Sequence, residues 1–285
     1  MPDENEIIYH YTSLAGLKGI VESSTLWLTD FHHLNDPTEI RYGISAFANH
    51  LFPNSHEDRI NFIATQDEAL KEKPFYTASF SEQQNYLPAW REYGDDGLGF
   101  SIGFSRQALE KEWFSFEQDK PYVQSISGAV SYACPKTFSD SLKDWFAEAR
   151  AYLETIKKDK AQYQLFHLAI NSLIPLLKHP CFQEEKEIRV ANSNLCLNGS
   201  LTDSPHEVFY RHQNPKQPFI KSIPYISRPI KHSWIKEIWA GPRTSNNHAD
   251  QEIKKLFTQI TNVEEYKIRI NHSTLPYKNP EKFFE

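Results

Sequence analysis

Gly97-Leu98-Gly99-Phe100-Ser101-Ile102-Gly103-Phe104 admits two readings that lead to different folds. As a Gly-x-Gly-x-x-Gly cradle it would open a helix in a doubly wound sheet and wrap a dinucleotide phosphate. Its third glycine comes one residue late, however. Leu98, Phe100, Ile102 and Phe104 instead alternate with Gly99, Ser101 and Gly103, the period of two that belongs to a strand. One face of that strand is core, and the other is nearly bare, which suits close approach by another backbone or by a ligand. The whole chain has 10 glycines, no GxxxxGK[ST] and no GxSxG, so neither a P-loop nor a nucleophile elbow is expected.

Upstream of this strand, Ile7 to Thr12 reads as a first strand, with Ile8, His10 and Thr12 on one face and Ile7, Tyr9 and Tyr11 on the other. Ser13 stands at an N-cap before Leu14, Leu17, Ile20 and Val21 at helical spacing. Then come a strand over Leu26 to Thr29, a polar loop over Asp30 to Pro37, and a helix through Ile40, Ile44 and Phe47. A helix over 57–72 ends at Pro74; Phe75 to Ser81 is a strand, and Pro88 to Tyr93 a turn or two of helix.

Downstream, Leu142, Trp145, Phe146, Ala149, Tyr152, Leu153 and Ile156 form one stripe of a helix from about Ser139 to Lys158. A second helix, from about Asp159 to Lys178, is expected to kink at Pro175 and to pack antiparallel on the first. A strand over Glu185 to Ala191 carries Glu185, Glu187 and Arg189 on one face. Strands near Val208 to His212, Phe219 to Ile223 and Ile235 to Ala240, a helix holding Ile253, Leu256, Phe257 and Ile260, and a strand over Val263 to Ile270 complete the pattern. Without a repeat or a Gly/Ser- or Pro-rich linker, residues 1–285 read as a single α+β domain, with a helical pair at 136–180 inserted between its strands.

Composition narrows the class. With 39% hydrophobic and 24% charged residues the chain is neither disordered nor low-complexity, and a net charge of −6 argues against a whole-molecule polyanion binder. Cys134, Cys181 and Cys196 are odd in number and lack CxxC spacing, which points away from disulfides and toward a reducing cytoplasm. The acidic start Met1 to Glu6 does not read as a signal peptide, and the apolar run Phe166 to Leu177 is too short to span a bilayer, so no membrane association is expected. His56-Glu57 and His206-Glu207 lack the second His of a zincin, and no metal is expected.

Three clusters carry chemistry. In Tyr9-His10-Tyr11-Thr12 the histidine is either a residue satisfied by a backbone carbonyl or a donor facing a ligand, with the Thr12 hydroxyl beside it. Leu34-Asn35-Asp36-Pro37-Thr38-Glu39 is turn and helix-start chemistry, or a binding loop. Glu184-Glu185-Lys186-Glu187-Ile188-Arg189-Val190 is either a solvated strand face or a pair of carboxylates presented in a cleft, with Arg189 offsetting their repulsion. Ser79, Ser81, Trp90 and Tyr93 add a hydroxyl-bearing strand running into an aromatic turn.

Taken in order, these clusters resemble the bacterial domain-of-unknown-function family 2971. Ala78-Ser79-Phe80-Ser81, Trp90-Arg91-Glu92-Tyr93, Gly97-Leu98-Gly99-Phe100 and Ser273-Thr274-Leu275-Pro276-Tyr277-Lys278 extend the likeness over roughly residues 7 to 278. The resemblance implies a distant similarity to ADP-ribosyltransferase-like folds, including toxins of toxin–antitoxin systems, in which a split mixed sheet binds NAD. It implies that His10 and Thr12 hold the adenosine-side ribose and nearby polar groups of NAD, that Ser79 or Ser81 holds the nicotinamide ribose, and that Tyr93 or another aromatic stacks on nicotinamide. Tyr11, Asn35 and Arg189 join the candidate NAD-binding residues. Glu187, or else Glu185, would be the catalytic carboxylate, because cleavage of the nicotinamide bond builds an oxocarbenium-like ribose.

The function expected on this basis is transfer of ADP-ribose from NAD, without a metal, to an unknown acceptor, in a toxin or phage-defence setting with an antitoxin or immunity partner. Two alternatives stand beside it. One is a non-catalytic sensor of such a system. The other is a metal-dependent nuclease using Glu184-Glu185-Lys186 with Asp36.

Overall fold

The computed structural model describes residues 6–34, 38–72, 75–113, 125–132, 140–193, 207–212, 222–261 and 268–277. The glycine-spaced strand is shorter than its sequence pattern: it begins at Phe100, and Leu98 lies in the preceding turn, exposed. Gly97 supplies the reason, since its φ of +86° turns the chain in a way that L side chains resist. Gly99 donates to Gly94 O and accepts from Gly241 N, and a Cβ at Gly99 would run into Thr12 O. The bare glycines at this end therefore serve the approach of other backbones. Phe100, Ile102 and Phe104 do point into the core.

Ten strands form one mixed sheet among the described residues. They are β1 (Ile7–Thr12), β2 (Thr25–Asp30), β3 (Phe75–Ser81), β4 (Phe100–Ser105), β5 (Ser125–Ala129), β6 (Glu187–Ser193), β7 (Val208–His212), β8 (Ser222–Pro229), β9 (Ile235–Ala240) and β10 (Arg269–His272). The main path runs β10-β9-β4-β1-β3-β2-β8-β7; β9 and β10 are parallel and the other pairs antiparallel.

The feature that matters for function is at β3. One edge of β3 is taken along its length by β6, from Phe75↔Ser193 to Ser81↔Glu187. The other edge is shared: β1 meets it at Tyr9↔Ser81, and β2 meets it at Thr29↔Thr77 and Asp30↔Tyr76. Between these contacts, over Ala78 to Phe80, the sheet forks.

One core joins the sheet to α1 (Leu14–Ser23), α8 (Asn246–Thr261) and the short α5 (Arg106–Trp113), through Ile8, Leu17, Val21, Leu28, Phe80, Leu109 and Ile253. A second core is built by α2 (Glu39–Leu51), α3 (His56–Glu72), α6 (Asp140–Ile156) and α7 (Lys160–Leu173), with Phe31 and Phe75 from the sheet side. The helical pair is thus part of a four-helix layer: Phe146 packs on Phe47 with ring centroids 5.4 Å apart. Trp145 is only half-buried, against Phe47 and Phe146, and Tyr152 is exposed yet meets Phe166 of α7 with ring centroids 6.2 Å apart; Phe146, Leu153 and Ile156 are buried members of the stripe. The second helix also stops at Leu173, and Pro175 lies in a 3₁₀ turn, because proline lacks the N–H that would continue the ladder.

The strand expected over Phe219 to Ile223 is β8, set further along at Ser222–Pro229, and the last strand is confined to Arg269–His272; residues 213–221 and 262–267 lie outside the description. No helix among the described residues is long and apolar enough to cross a membrane.

Ser13 caps α1 as its sequence position predicts, its Oγ accepting from Gly16 N at 3.1 Å. Ser13→Ala is expected to lower stability by about 1 kcal/mol, the usual worth of such a cap. Chemical denaturation checks this, and Ser13→Asp should recover most of the loss.

Candidate functional site

A cavity of about 1080 Å³ occupies the fork. Alternation along β1 turns His10 toward the core face, whereas Ser79, Glu187 and Arg189 belong to the opposite face of β3 and β6. In an unbroken sheet these groups would never meet. The fork opens one face to the other, so His10, Thr12, Ser79, Glu185, Glu187 and Arg189 all line the same cavity.

His10 marks the opening. With β1 and β2 diverging, the Ser79 carbonyl has no strand partner on that side, and His10 Nδ1 takes its place at 3.0 Å. Since a carbonyl only accepts, Nδ1 carries the proton and Nε2 remains an acceptor. Burial lowers the His10 pKa, and the Arg211 charge adds to the lowering, so the ring is neutral near pH 7. Of its two sequence readings the carbonyl-satisfied histidine is the one seen; the ring also borders the cavity, but its donor is spent on Ser79 O and what it presents there is an acceptor.

Across the cavity floor lies a buried ionic network. Arg189 grips Glu187 through two bonds, Nε to Oε1 at 2.7 Å and Nη2 to Oε2 at 2.8 Å, and also donates to Glu39 Oε2 at 2.9 Å and Pro175 O at 2.9 Å. Lys178 Nζ meets Glu39 at 2.9 Å, Glu185 at 2.6 Å and Glu187 at 3.3 Å. Burial pushes the Glu187 pKa up, but Arg189 and Lys178 outweigh it and hold the carboxyl at about 2. At Glu185 burial prevails over Lys178, and the pKa is raised.

The two carboxylates differ in placement as well. The expectation that Glu185 and Glu187 share one strand face is corrected: β6 begins at Glu187, Glu185 ends a 3₁₀ turn over Pro180–Glu185, and Lys186 between them is left-handed with φ +43°. This turn is stapled to β3 and the chain after it, with Ser81 Oγ donating to Glu185 O, Glu82 N to Lys186 O, and Gln83 Nε2 to Glu184 O. Glu187 is 5% exposed with both oxygens engaged. The Glu185 side chain is 27% exposed, and among the described residues its carboxylate bonds only Lys178.

Other candidates divide by role. Tyr11 borders the cavity, but its ring stands edge-on to Trp90 and its hydroxyl donates to Gln83 O and accepts from Tyr86 N, so it builds the wall. Ser81 is occupied in holding Glu185, while Ser79 remains exposed to the cavity and helps to lower the Glu187 pKa. Tyr93 lines the rim, half-exposed, with its pKa pushed up to about 12 by burial and by Glu185. Asn35, and Asp36 of the nuclease alternative, lie outside the described residues.

Sequence reasoning missed Lys178, Trp27 and Arg211. Lys178 had only one signal, a lone charge closing the apolar run Phe166 to Leu177. Glu39 stood in a quoted motif but without a role.

These observations define an α+β protein whose forked mixed sheet holds a polar, ionised cavity at the opening. Residues 89–190 match the family described as "Protein of unknown function (DUF2971)". The matched stretch includes the aromatic turn, the glycine-spaced strand and the segment from Glu185 to Arg189. No curated protein and no solved structure matches the chain.

Proposed function

We propose that the forked cavity binds NAD and that the protein is an ADP-ribosyltransferase-like enzyme. One observation carries the reading: the sheet opens between β1 and β2, so that His10, the Ser79 hydroxyl and Glu185 border a single cavity. That arrangement has the three parts the chemistry requires. The imidazole and the hydroxyl orient the two riboses, His10 the adenosine-side one and Ser79 the nicotinamide one; an aromatic rim at Tyr93 receives the nicotinamide; and a carboxylate faces the nicotinamide ribose. The bond from ribose C1′ to the nicotinamide nitrogen breaks, its electron pair leaving with nicotinamide. Positive charge develops on the ribose, and the acceptor's nucleophile then bonds C1′ and releases its proton to water. Glu185, accepting from the ribose 2′-hydroxyl, stabilises that charge. Lys178 holds the carboxylate in place, and the Ser81 bond to Glu185 O fixes the backbone that carries it.

In this reading Glu185 takes the catalytic role, and Glu187 is the network's anchor. The geometry favours that order because Glu187 is buried beneath Arg189 and Lys178, whereas Glu185 keeps a partly exposed carboxylate.

Incubation with NAD labelled in the adenosine moiety, with and without EDTA, tests the proposal. Nicotinamide release and label transfer are expected to be unaffected by the chelator. Retention of NAD without release would reduce the protein to a binding module. Metal-dependent strand cleavage with no NAD binding would replace the proposal with the nuclease reading. Because burial raises the Glu185 pKa, kcat/KM should fall on acidification through a pKa above the ordinary 4.5. An acid limb at or below 4.5 would deny Glu185 its part.

A further inference from the structure

Beyond the fork, the face of β2, β8 and β7 that turns away from the core carries a run of stacked rings. Trp27 stacks on Tyr225 with centroids 4.3 Å apart at 28°, and Tyr225 on Phe209 at 5.6 Å and 28°. The register explains the run: Thr29, Tyr225 and Phe209 are directly paired across the three strands, with Trp27 and Arg211 two residues away on the same face. Leu26, Leu28 and Ile226 on the opposite face are in the core. Trp27 is nonetheless 42% exposed and Phe209 39% exposed, an unusual outlay of large rings on a surface.

Arg211 sits among them. Its Nη2 donates to Thr29 Oγ1 at 2.9 Å, and its guanidinium lies 5.9 Å from the Trp27 ring centroid. Trp27, Thr29 and Arg211 all line the cavity. Among the described residues no carboxylate pairs with Arg211, in contrast to Lys178 and Arg189, which are saturated. Burial lowers the Arg211 pKa, against an opposing effect of Tyr225. A half-buried cation of this kind, in a cavity wall and beside an aromatic face, calls for an anion attached to a flat ring.

We propose that this wing is the subsite for the far base and the phosphates of a dinucleotide, with Arg211 pairing the phosphate and Trp27 stacking the base. The inference deepens the reading of the cavity as an NAD site and rests on it. Thr77, beside the wing, and Ser81, beside Glu185, are four steps apart on β3, or about 13 Å. A single ligand that touches both ends must be extended, with its reacting end at Glu185 and its other end on the wing. A dinucleotide has that form: a ring at each end and two phosphates between. The ring stack is already assembled, so little ordering is required when a base arrives.

Calorimetric titration of the full chain with ADP, adenosine and inorganic pyrophosphate tests this, using Arg211→Gln, Trp27→Ala and Trp27→Phe. Arg211→Gln should weaken ADP and pyrophosphate by about 10- to 100-fold and leave adenosine unchanged. Trp27→Ala should weaken ADP and adenosine by about 5- to 100-fold and leave pyrophosphate unchanged, and Trp27→Phe should recover most of the loss. Thermal melts verify that each variant folds. Wild type that fails to bind ADP, or ADP affinity unmoved by both Arg211→Gln and Trp27→Ala, overturns the proposal. So does a short single-stranded oligonucleotide that binds through Trp27 and is not displaced by ADP, which would make the wing a nucleic-acid surface. The two readings fail separately. Arg211-dependent ADP binding without nicotinamide release keeps the subsite and ends the transferase, whereas NAD turnover with an unchanged KM in both variants keeps the transferase and ends the subsite.

Discussion

Glu185→Gln is expected to slow nicotinamide release about 10²- to 10³-fold, with the fold and the affinity for NAD retained. Gln preserves the side chain's size and can still accept a bond from a ribose hydroxyl, so ground-state binding survives. It cannot bring negative charge to the developing oxocarbenium ion, and the loss appears in kcat with KM little changed. The structure makes this variant a clean test. Glu185 is partly exposed, ends a turn held by backbone and Ser81 bonds, and meets only Lys178 through its carboxylate among the described residues. Single-turnover measurement of nicotinamide release, with NAD affinity determined in parallel, separates the two effects. Release at the wild-type rate would remove Glu185 from catalysis.

Glu187→Gln is expected to act on the fold instead, costing about 3–5 kcal/mol, because it breaks a buried charge pair and leaves the Arg189 donors a weaker, neutral acceptor. Arg189 would keep Glu39 and Pro175 O but lose its two-pronged carboxylate, and Lys178 would lose part of its counter-charge. Denaturant midpoints measure the loss, and Arg189→Lys, which cannot reproduce the fork, should be damaging too. The pH dependence has a definite sign. The Glu187 pKa is depressed from 4.5 to about 2, so its contribution is fully present above about pH 4.5 and is lost as the pH falls toward 2. The amount is about 3 kcal/mol. Stability of Glu187→Gln equal to wild type at pH 7, together with loss of NAD turnover, would return the catalytic role to Glu187, the first choice on the family resemblance.

The separation of these two residues shows where local pattern stops. Glu185-Lys186-Glu187 in a strand would place both carboxylates on one face, and they do converge on Lys178, but by another route. The left-handed Lys186 breaks the strand, and Lys178 gathers the carboxylates from a position that no spacing rule connects to them. Likewise Arg189 was legible as a compensating charge within its own segment. Its bond to Glu39, 150 residues away, was not.

By itself the sequence determined what depends on neighbours along the chain. Alternation marked Ile7 to Thr12 and Phe75 to Ser81 as strands, Ser13 as a cap, and the run from Phe100 to Phe104 as a strand and not a nucleotide loop. Those features are governed by side-chain period, capping and glycine's backbone freedom, which act over a few residues. Only the tertiary structure decided that β1 and β2 share one edge of β3 and part from each other there, because strand pairing is a choice among distant segments. That choice frees the Ser79 carbonyl for His10 and opens one sheet face to the other. It also sets Trp27 and Arg211, unmarked in the sequence, on the wall of the same cavity. A fork is a property of three strands at once, and no one of them carries it.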